Sequence, residues 1–345
     1  MSRLDELPVD GVQAGAALVV LALLFLASPL FVRPPNVSLI FLEVGVLLLV
    51  YALILVGLNL QFGHTGLVNF GPVAFFAVGG YVAAIATARD PFNAIGLGLS
   101  WPVGLVAGVA AAVALGAIIG ASTLRLRDDF LAIVTLAVAE IVHGLVLTLR
   151  DVTGGSSGLG NVPRPIANMS GGGGTAELFA TVVLLGAIAL LAYGLVHRLT
   201  TAPYGRVLRA IRADEQVTET LGKRVFRYKL VVFIYGAALA GFAGVLYVYH
   251  QGAAAPGFFT INVTVLVWVG MLIGGAGNDR GVLGGLVIVL GFQALTRFLN
   301  DVIPFITQDQ FASIRLMLVG LLLMLIIKYR PEGIWGDADK LGVES

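Results

Sequence analysis

LIFLEVGVLLLVYALILVGLNL, residues 39–60, is a stretch of 22 residues in which Glu43 is the only charged side chain. A segment that crosses the hydrocarbon core of a bilayer as an α-helix needs about 20 mostly apolar residues. This stretch therefore predicts a membrane-spanning helix. Glu43 lies close to one end of the predicted span, where water reaches it.

The composition of the whole chain agrees with a membrane protein. Of its 345 residues, 58% are hydrophobic and only 12% are Asp, Glu, Lys or Arg, whereas soluble domains carry about 25% charged residues. The mean hydropathy is +0.95. The net charge of +1 gives no basic surface for nucleic acid, and the absence of cysteine excludes disulfides and thiolate metal sites.

Further apolar runs predict an all-α integral membrane protein with about ten transmembrane helices. The runs lie at residues 15–32, 39–60, 73–88, 101–122, 130–149, 178–198, 229–249, 262–275, 281–299 and 311–328. The run at 262–275 is short, which suits a tilted or re-entrant helix. The first run follows an acidic leader and has no convincing cleavage site, so we expect a span there and not a signal peptide.

The positively charged residues predict which loops face the cytoplasm. If ten spans alternate from a cytoplasmic N-terminus, fifteen of the 21 Lys and Arg residues fall inside, four fall in outer loops, and two lie near outer span ends. Because Lys and Arg concentrate in cytoplasmic loops, both termini are expected inside. The predicted parts are a cytoplasmic leader, a transmembrane domain with one large cytoplasmic loop, and a cytoplasmic tail: 1–14, 15–328 with the loop at 200–229, and 329–345.

The loop at 200–229 predicts a short amphipathic helix. Pro203 suits a helix start and Gly222 suits a helix end. Three arginines recur between them at every third residue: Arg206, Arg209 and Arg212. Three apolar residues fall on the other side of the helix: Val207, Leu208 and Ile211. The spacing leaves two interpretations open, a helix that docks in a groove on an ATPase subunit or a membrane-surface helix held by anionic lipid.

GHTGLVNFGP, residues 63–72, separates two strong apolar runs. Four helix-breaking residues and two polar residues share this segment: Gly63, Gly66, Gly71 and Pro72, with Thr65 and Asn69. Irregular backbone at membrane depth must be satisfied by protein or border a water-filled cavity, and discontinuous helices often form substrate sites in transporters. The segment is therefore either part of a substrate pathway, with broken helices near the centre of the fold, or an ordinary cytoplasmic hairpin loop.

Glu140 and His143 lie in the middle of a predicted span, three residues apart and so on one helix face. An ionisable residue inside a membrane is costly and usually faces the interior of the helix bundle. Either Glu140 lines the pathway, or the two side chains form a mutual hydrogen bond that fixes helix packing.

Glycines predict further contacts and turns. Three pairs recur at four-residue spacing, which is typical of helix-contact faces: Gly104 with Gly108, Gly116 with Gly120, and Gly281 with Gly285. The glycines at 274, 275 and 277 predict a tight turn. The outer loop at 151–175 is rich in Gly and Ser, which predicts a flexible turn region or an Ω-type loop.

The chain carries no motif for nucleotide binding or catalysis. It has no Gly-x-x-x-x-Gly-Lys-Ser/Thr sequence, so it does not bind ATP through a P-loop. Its four histidines are scattered, and no acidic cluster accompanies them. The sequence therefore predicts no catalytic residue, no metal site and no cofactor.

Several segments, in chain order, resemble the LivM-type permeases of branched-chain amino-acid ABC importers, over about residues 40 to 336. They include GLNLQFGHTGLVNFGPVAFFAVGGYVAA, TGGSSGL, PYGRVLRAIRADEQVTETLGKRVFRYKL and RPEGIWG, at 57–84, 153–159, 203–230 and 330–336. Similar stretches lie at 124–145, 236–247 and 274–285. Pro72 and the pair Ser156-Ser157 differ from residues that are common in the family.

The resemblance implies a type II-like permease in the plasma membrane of a prokaryote, surrounded by lipid. Its implied partners are a second, LivH-like permease, two ABC ATPase subunits and an extracytoplasmic substrate-binding protein. It places part of the loop at 200–229 against the ATPase: Gly205, Arg206, Arg209, Ala210, Ile211, Arg212, Asp214 and Glu215. It also favours a substrate pathway at Gly63, Thr65, Gly66, Asn69, Gly71 and Glu140.

The implied function is alternating-access import of branched-chain or related amino acids, driven by ATP hydrolysis on the partner subunits. One alternative is a permease for urea or short amides, which relatives in the same family handle. Another is a stand-alone secondary transporter or channel. The large basic loop and the shortage of buried carboxylates argue against the second alternative.

Overall fold

The computed structural model describes residues 36–89, 94–125, 128–169, 174–299, 314, 317–321, 323–324, 328–330 and 332–336. Across these residues the regular structure is helical, with one isolated bridge between Leu159 and Ala254. The all-α fold class is confirmed. The predicted leader at 1–14 and span at 15–32 lie outside the described residues, and the run at 311–328 and the tail at 329–345 are described in part.

The helices are numbered in chain order. Those of six or more residues are α1 (Asn36–Leu58), α2 (Pro72–Thr87), α3 (Trp101–Thr123), α4 (Asp128–Thr148), α5 (Thr175–Thr201), α6 (Pro203–Ala213), α7 (Glu215–Thr220), α8 (Val225–Gln251), α9 (Ile261–Gly274) and α10 (Asp279–Leu299). Shorter helical turns lie at Asn59–Gly63, Arg150–Thr153, Gly155–Ser157, Pro165–Met169 and Pro256–Phe258.

Six helical segments of the described chain are long and apolar enough to cross a membrane. They are Leu39–Gly63, Trp101–Thr123, Phe130–Thr148, Thr175–Thr201, Val225–Gln251 and Pro256–Gly274. The apolar helix α2 is shorter. Each apolar run from 39–60 to 281–299 coincides with one helix to within a few residues, so the predicted helices are confirmed. Helices α2 and α10 are not among the six candidate spans, and the total of about ten spans stays approximate.

Residues 49–267 form one compact unit, in which α2, α3 and α8 pack against one another. Glycines allow the helix backbones to approach closely: a Cβ added to Gly79 of α2 would lie 2.6 Å from the Cα atom of Gly241 in α8. Lipid offers no hydrophobic drive for helix association, so close packing of small residues stabilises the contact. The predicted contact face of α3 is confirmed, because its paired glycines are buried: Gly104, Gly108, Gly116 and Gly120.

The remaining described residues form a second unit, which contains the turn between α9 and α10. The side-chain oxygen of Asn278 accepts hydrogen bonds from the backbone N–H groups of Arg280 and Gly281, both at 3.1 Å, and so caps α10. The Asn278 side-chain nitrogen donates to the carbonyl oxygen of Trp335 at 2.6 Å. The predicted tight turn is confirmed, and the segments at 274–285 and 330–336 pack on each other.

The contact between α2 and α8 predicts a strong effect of one methyl group. We expect Gly79→Ala to destabilise the protein by about 1–3 kcal/mol, because the added methyl group overpacks a closed helix contact. Gly194→Ala in α5 is the matched control, since nothing lies within 4 Å of the position where its methyl group would stand. Thermal unfolding in detergent measures both variants, and equal melting temperatures would contradict the packing argument.

Candidate functional site

The helix that begins at Asn36 does not continue into α2. After Leu58 it widens into a π-helical turn, Asn59–Gly63, and regular helix resumes only at Pro72. Gly66 has a φ of +81°, which glycine adopts without steric cost. Residues 66–71, called the unwound segment below, therefore separate two helices of the same apolar region.

The polar groups of the unwound segment bond within the protein. Asn69 is only 1% exposed: its side-chain nitrogen donates to the Gln61 side chain at 2.9 Å, and its side-chain oxygen accepts from the Gly71 N–H at 2.8 Å. The Phe70 N–H donates to the Thr135 hydroxyl of α4 at 2.9 Å. Buried irregular backbone is tolerated in a membrane protein only with such internal partners.

The side chains of the unwound segment alternate between buried and half-buried positions. Asn69 turns inward, and Thr65 just before the segment also turns inward, donating from its hydroxyl to the Leu60 carbonyl at 3.1 Å. The half-buried side chains are those of Val68 and Phe70, which sequence reasoning missed. No hydropathy alternation in this stretch distinguishes Val68 and Phe70 from buried Leu67 and Asn69, so the sequence held no signal for them.

The loop at 200–229 forms two helices, so the prediction of a single helix is wrong, whereas the predicted stop at Gly222 is confirmed, since Gly222 has a φ of +77° just after α7. Asp214 adopts an extended conformation after α6, and its carboxylate accepts from the Val217 N–H at 2.9 Å, which caps α7. The predicted start at Pro203 and the amphipathic pattern of α6 are confirmed, since Leu208 and Ile211 are buried.

The residues predicted to contact an ATPase divide between two sides. Gly205 and Ile211 are buried, and a side chain at Gly205 would overlap the carbonyl group of Thr200. The exposed members are Arg206, Arg209, Ala210, Asp214 and Glu215. Two of these also fasten the helices: Arg209 donates to the Thr200 carbonyl at 3.0 Å, and Glu215 forms an ion pair with Lys229.

The exposed side of the two helices also carries two apolar residues that sequence reasoning missed. Val217 and Leu221 are 54% and 73% exposed. They lie four residues apart, on one face of the helical turn that begins at Glu215. Their spacing within a polar loop was a signal available from the sequence.

Arg212 points into the chain, away from the exposed side of α6. Its guanidinium donates to the Gly63 carbonyl and lies 5.8 Å from the centre of the Phe62 ring. A Cβ added to Gly66 would lie 3.5 Å from the Cγ atom of Arg212. Burial lowers the pKa of Arg212 from its usual value, although an arginine side chain stays protonated in proteins. The structure thus brings Arg212 together with Gly63 and Gly66, which the sequence had placed in a separate group.

Glu140 lies on the outward face of α4, beside exposed Ile133 and Ile141. Among the described residues it has no hydrogen-bond or ion-pair partner. His143 instead contacts the Phe259 carbonyl through its Nδ1 atom at 3.2 Å, so the alternative of a mutual Glu140–His143 bond is wrong. An ionisable group in the middle of a span avoids lipid tails, so this face requires a protein or aqueous neighbour.

Over its described residues 151–169, the Gly- and Ser-rich loop forms short helical turns and a bridge between Leu159 and Ala254. Arg164 forms an ion pair with the buried carboxylate of Glu177 at the start of α5 and donates to the His250 carbonyl at 3.1 Å. A cavity of about 400 Å³ lies beside this loop, with Arg89, Trp101 and Asn161 in its wall. Among the described residues, no group of three or more His, Asp or Glu side chains is placed to hold a metal ion.

One protein family matches most of the chain. Residues 40–327 match the family described as "Branched-chain amino acid transport system / permease component". The chain belongs to this family. The predicted resemblance and the prediction of a membrane permease are confirmed.

Individual permeases of the family support the assignment. The chain is 33% identical over 346 residues to the high-affinity branched-chain amino acid transport system permease protein LivM of Escherichia coli (strain K12), covering 94% of this chain and 76% of that protein. It is 28% identical over 318 residues to a probable LivM permease of Methanocaldococcus jannaschii, covering 82% and 90%. No solved structure matches the chain.

The second type of permease in these systems is also similar to the chain. The LivH permease protein of Salmonella typhimurium is 25% identical over 301 residues, covering 83% of this chain and 91% of that protein. The LivM and LivH relatives indicate a multi-subunit transport system with paired permeases.

The hydroxyl of Thr135 predicts a local stability effect in this permease. We expect Thr135→Val to destabilise the protein by about 1–3 kcal/mol, because the change keeps the side-chain shape but removes the hydroxyl that accepts the part-buried hydrogen bond from the Phe70 N–H. Thr148→Val on the same helix is the matched control, since the Thr148 hydroxyl is exposed and bonds only to the Gly144 carbonyl of its own helix. Thermal unfolding in detergent should give a lower melting temperature for Thr135→Val than for Thr148→Val. Equal melting temperatures would contradict a role of the Thr135 hydroxyl in stabilising the unwound segment.

Proposed function

We propose that this chain is one permease subunit of an ATP-driven importer of branched-chain amino acids. Its family membership and the similarity to LivM along 94% of the chain carry the proposal. A LivH-like permease forms the other half of the pathway, two ABC ATPase subunits hydrolyse ATP, and an external binding protein delivers the substrate. The complex lies in the plasma membrane of a prokaryote, with both termini of this chain in the cytoplasm.

The exposed side of α6 and α7 is the proposed ATPase-docking surface. It combines the cations of Arg206 and Arg209 with the apolar side chains of Val217 and Leu221, all of which are exposed. Apolar anchors at positions i and i+4 suit a helix that lies in a hydrophobic groove. Charges around such anchors favour orientation and specificity over affinity.

The unwound segment is the proposed contribution of this chain to the substrate pathway, together with Gly63, Thr65 and Glu140. Its half-buried Val68 and Phe70 offer apolar contacts that suit a branched aliphatic side chain. Alternating access in such transporters often involves broken helices. We place Glu140 opposite the LivH-like partner or the aqueous pathway, because its carboxylate lies outward in the middle of α4.

ATP-dependent uptake by the reconstituted complex tests the substrate assignment. We expect uptake of leucine, with no comparable uptake of urea or of a sugar, and we expect vanadate to abolish it. Glu140→Gln should lower leucine uptake by about tenfold, because it removes the carboxylate charge. A tenfold loss corresponds to about 1.4 kcal/mol of interaction free energy. Uptake of urea alone would identify an amide permease, and uptake without any ATPase would identify a secondary transporter.

Charge introduced at the apolar anchors tests the docking surface. We expect Val217→Glu combined with Leu221→Glu to remove most of the associated ATPase, because burying two unpaired carboxylates in an apolar groove is unfavourable. Ser156→Glu combined with Ser157→Glu places the same charges at exposed positions of the outer loop and serves as the control. Co-purification of the ATPase with the tagged permease is the measurement. Unchanged association of the first variant would exclude this surface.

A further inference from the structure

We propose that Arg212 is a positioning residue that transmits movement of α6 to the unwound segment. The inference rests on the proposed function, because α6 moves only if a partner ATPase acts on it. The family resemblance implied that Arg206, Arg209 and Arg212 all belong to the ATPase-docking segment. The contacts of Arg212 assign it a different role.

The geometry of α6 separates Arg212 from the docking surface. An α-helix turns about 100° per residue, so each step of three residues falls short of a full turn by about 60°. Arg206 and Arg212 are therefore about 120° apart around the helix. Arg206 is exposed, whereas Arg212 is half-buried and contacts the end of the π-helical turn that follows α1.

The contact has the chemistry of a helix C-terminal cap. The last carbonyl groups of a helix lack partners within the helix and form the negative end of its dipole. Arg212 donates to one of these groups, the Gly63 carbonyl, and its guanidinium lies near the Phe62 ring. A charge-assisted hydrogen bond and a cation–π contact therefore join α6 to the same helical turn.

The position of this contact decides what a movement of α6 would displace. Arg212 lies at the point where regular helix stops, and its side chain also covers Gly66, the glycine with positive φ. On the α6 side, Arg212 follows directly after buried Ile211. A displacement of α6 that keeps these contacts therefore carries Gly63 and Gly66 with it, at the boundary between the helix and the unwound segment.

A cysteine reporter on the unwound segment tests the link. The chain contains no cysteine, so Val68→Cys gives this chain a single thiol, at a half-buried position of the segment, and its labelling is read on the separated permease chain. In the assembled importer, we expect ATP with vanadate to change the rate at which a maleimide labels this thiol. Arg212→Gln should reduce the nucleotide-dependent change in labelling rate by about tenfold, because it removes one charge-assisted hydrogen bond. Arg212→Lys should retain part of the nucleotide-dependent change, because lysine keeps the charge but not the guanidinium geometry.

Matched measurements separate transmission from docking and from folding. Arg227→Gln should keep the full nucleotide-dependent change in labelling rate, because Arg227 is an exposed arginine near the start of α8. ATPase co-purification and ATP hydrolysis should stay within about twofold of the unmodified complex for every arginine variant, a difference of less than 0.5 kcal/mol. If Arg212→Gln does not fold, Arg212→Lys decides the question by the same readout.

Three results would overturn the link. The first is a full nucleotide-dependent change in labelling rate in the Arg212 variants, and the second is loss of ATPase association in those variants. The third is no nucleotide-dependent change in labelling rate in the complex that keeps Arg212. The labelling readout does not depend on the solute. Failure of leucine uptake with a normal Arg212-dependent change would therefore reject the proposed substrate and retain the link. Absence of ATPase from the purified complex would reject both.

Discussion

The structure depends on one requirement, that every backbone N–H and C=O group inside a bilayer find a partner within the protein. The long helices meet it by their own hydrogen bonds. The break between α1 and α2 lacks such regular bonds, and side chains supply the partners: Asn69 from within the break, and the Thr135 hydroxyl and Arg212 guanidinium from elsewhere in the same unit. Irregular backbone thus makes these distant segments depend on one another.

Close glycine contacts supply the rigid frame around this break. The backbones of α2 and α8 meet at Gly79 and Gly241, and Gly236 leaves room for the Gln61 side chain, which donates to the Phe233 carbonyl at 3.0 Å. Contacts without intervening side chains leave little freedom for sliding. Helices α2 and α8 are therefore expected to move as one body.

The sequence predicted the helices well, because bilayer thickness fixes span length and makes apolar runs easy to recognise. It did not predict the break at Asp214, since an aspartate in a polar helix differs little from one that caps the next helix. The sequence also did not predict that the Arg212 side chain points inward, because residues three apart do not lie on the same face of an α-helix. The partners of Asn69 and the outward position of Glu140 depend on which helices become neighbours, and no local pattern records that.

The π-helical turn at Asn59–Gly63 has a consequence for how the chain tolerates change. Such a turn holds one more residue than the α-helical turn it replaces, so it shifts the phase of everything downstream by about 100°. Removing a single residue there would leave the hydropathy almost unchanged and the span still long enough. It would nevertheless rotate the following residues to a different face of the helix. The length of this turn is therefore constrained as well as the identity of residues such as Gln61, whose side chain bonds to Phe233 and Asn69.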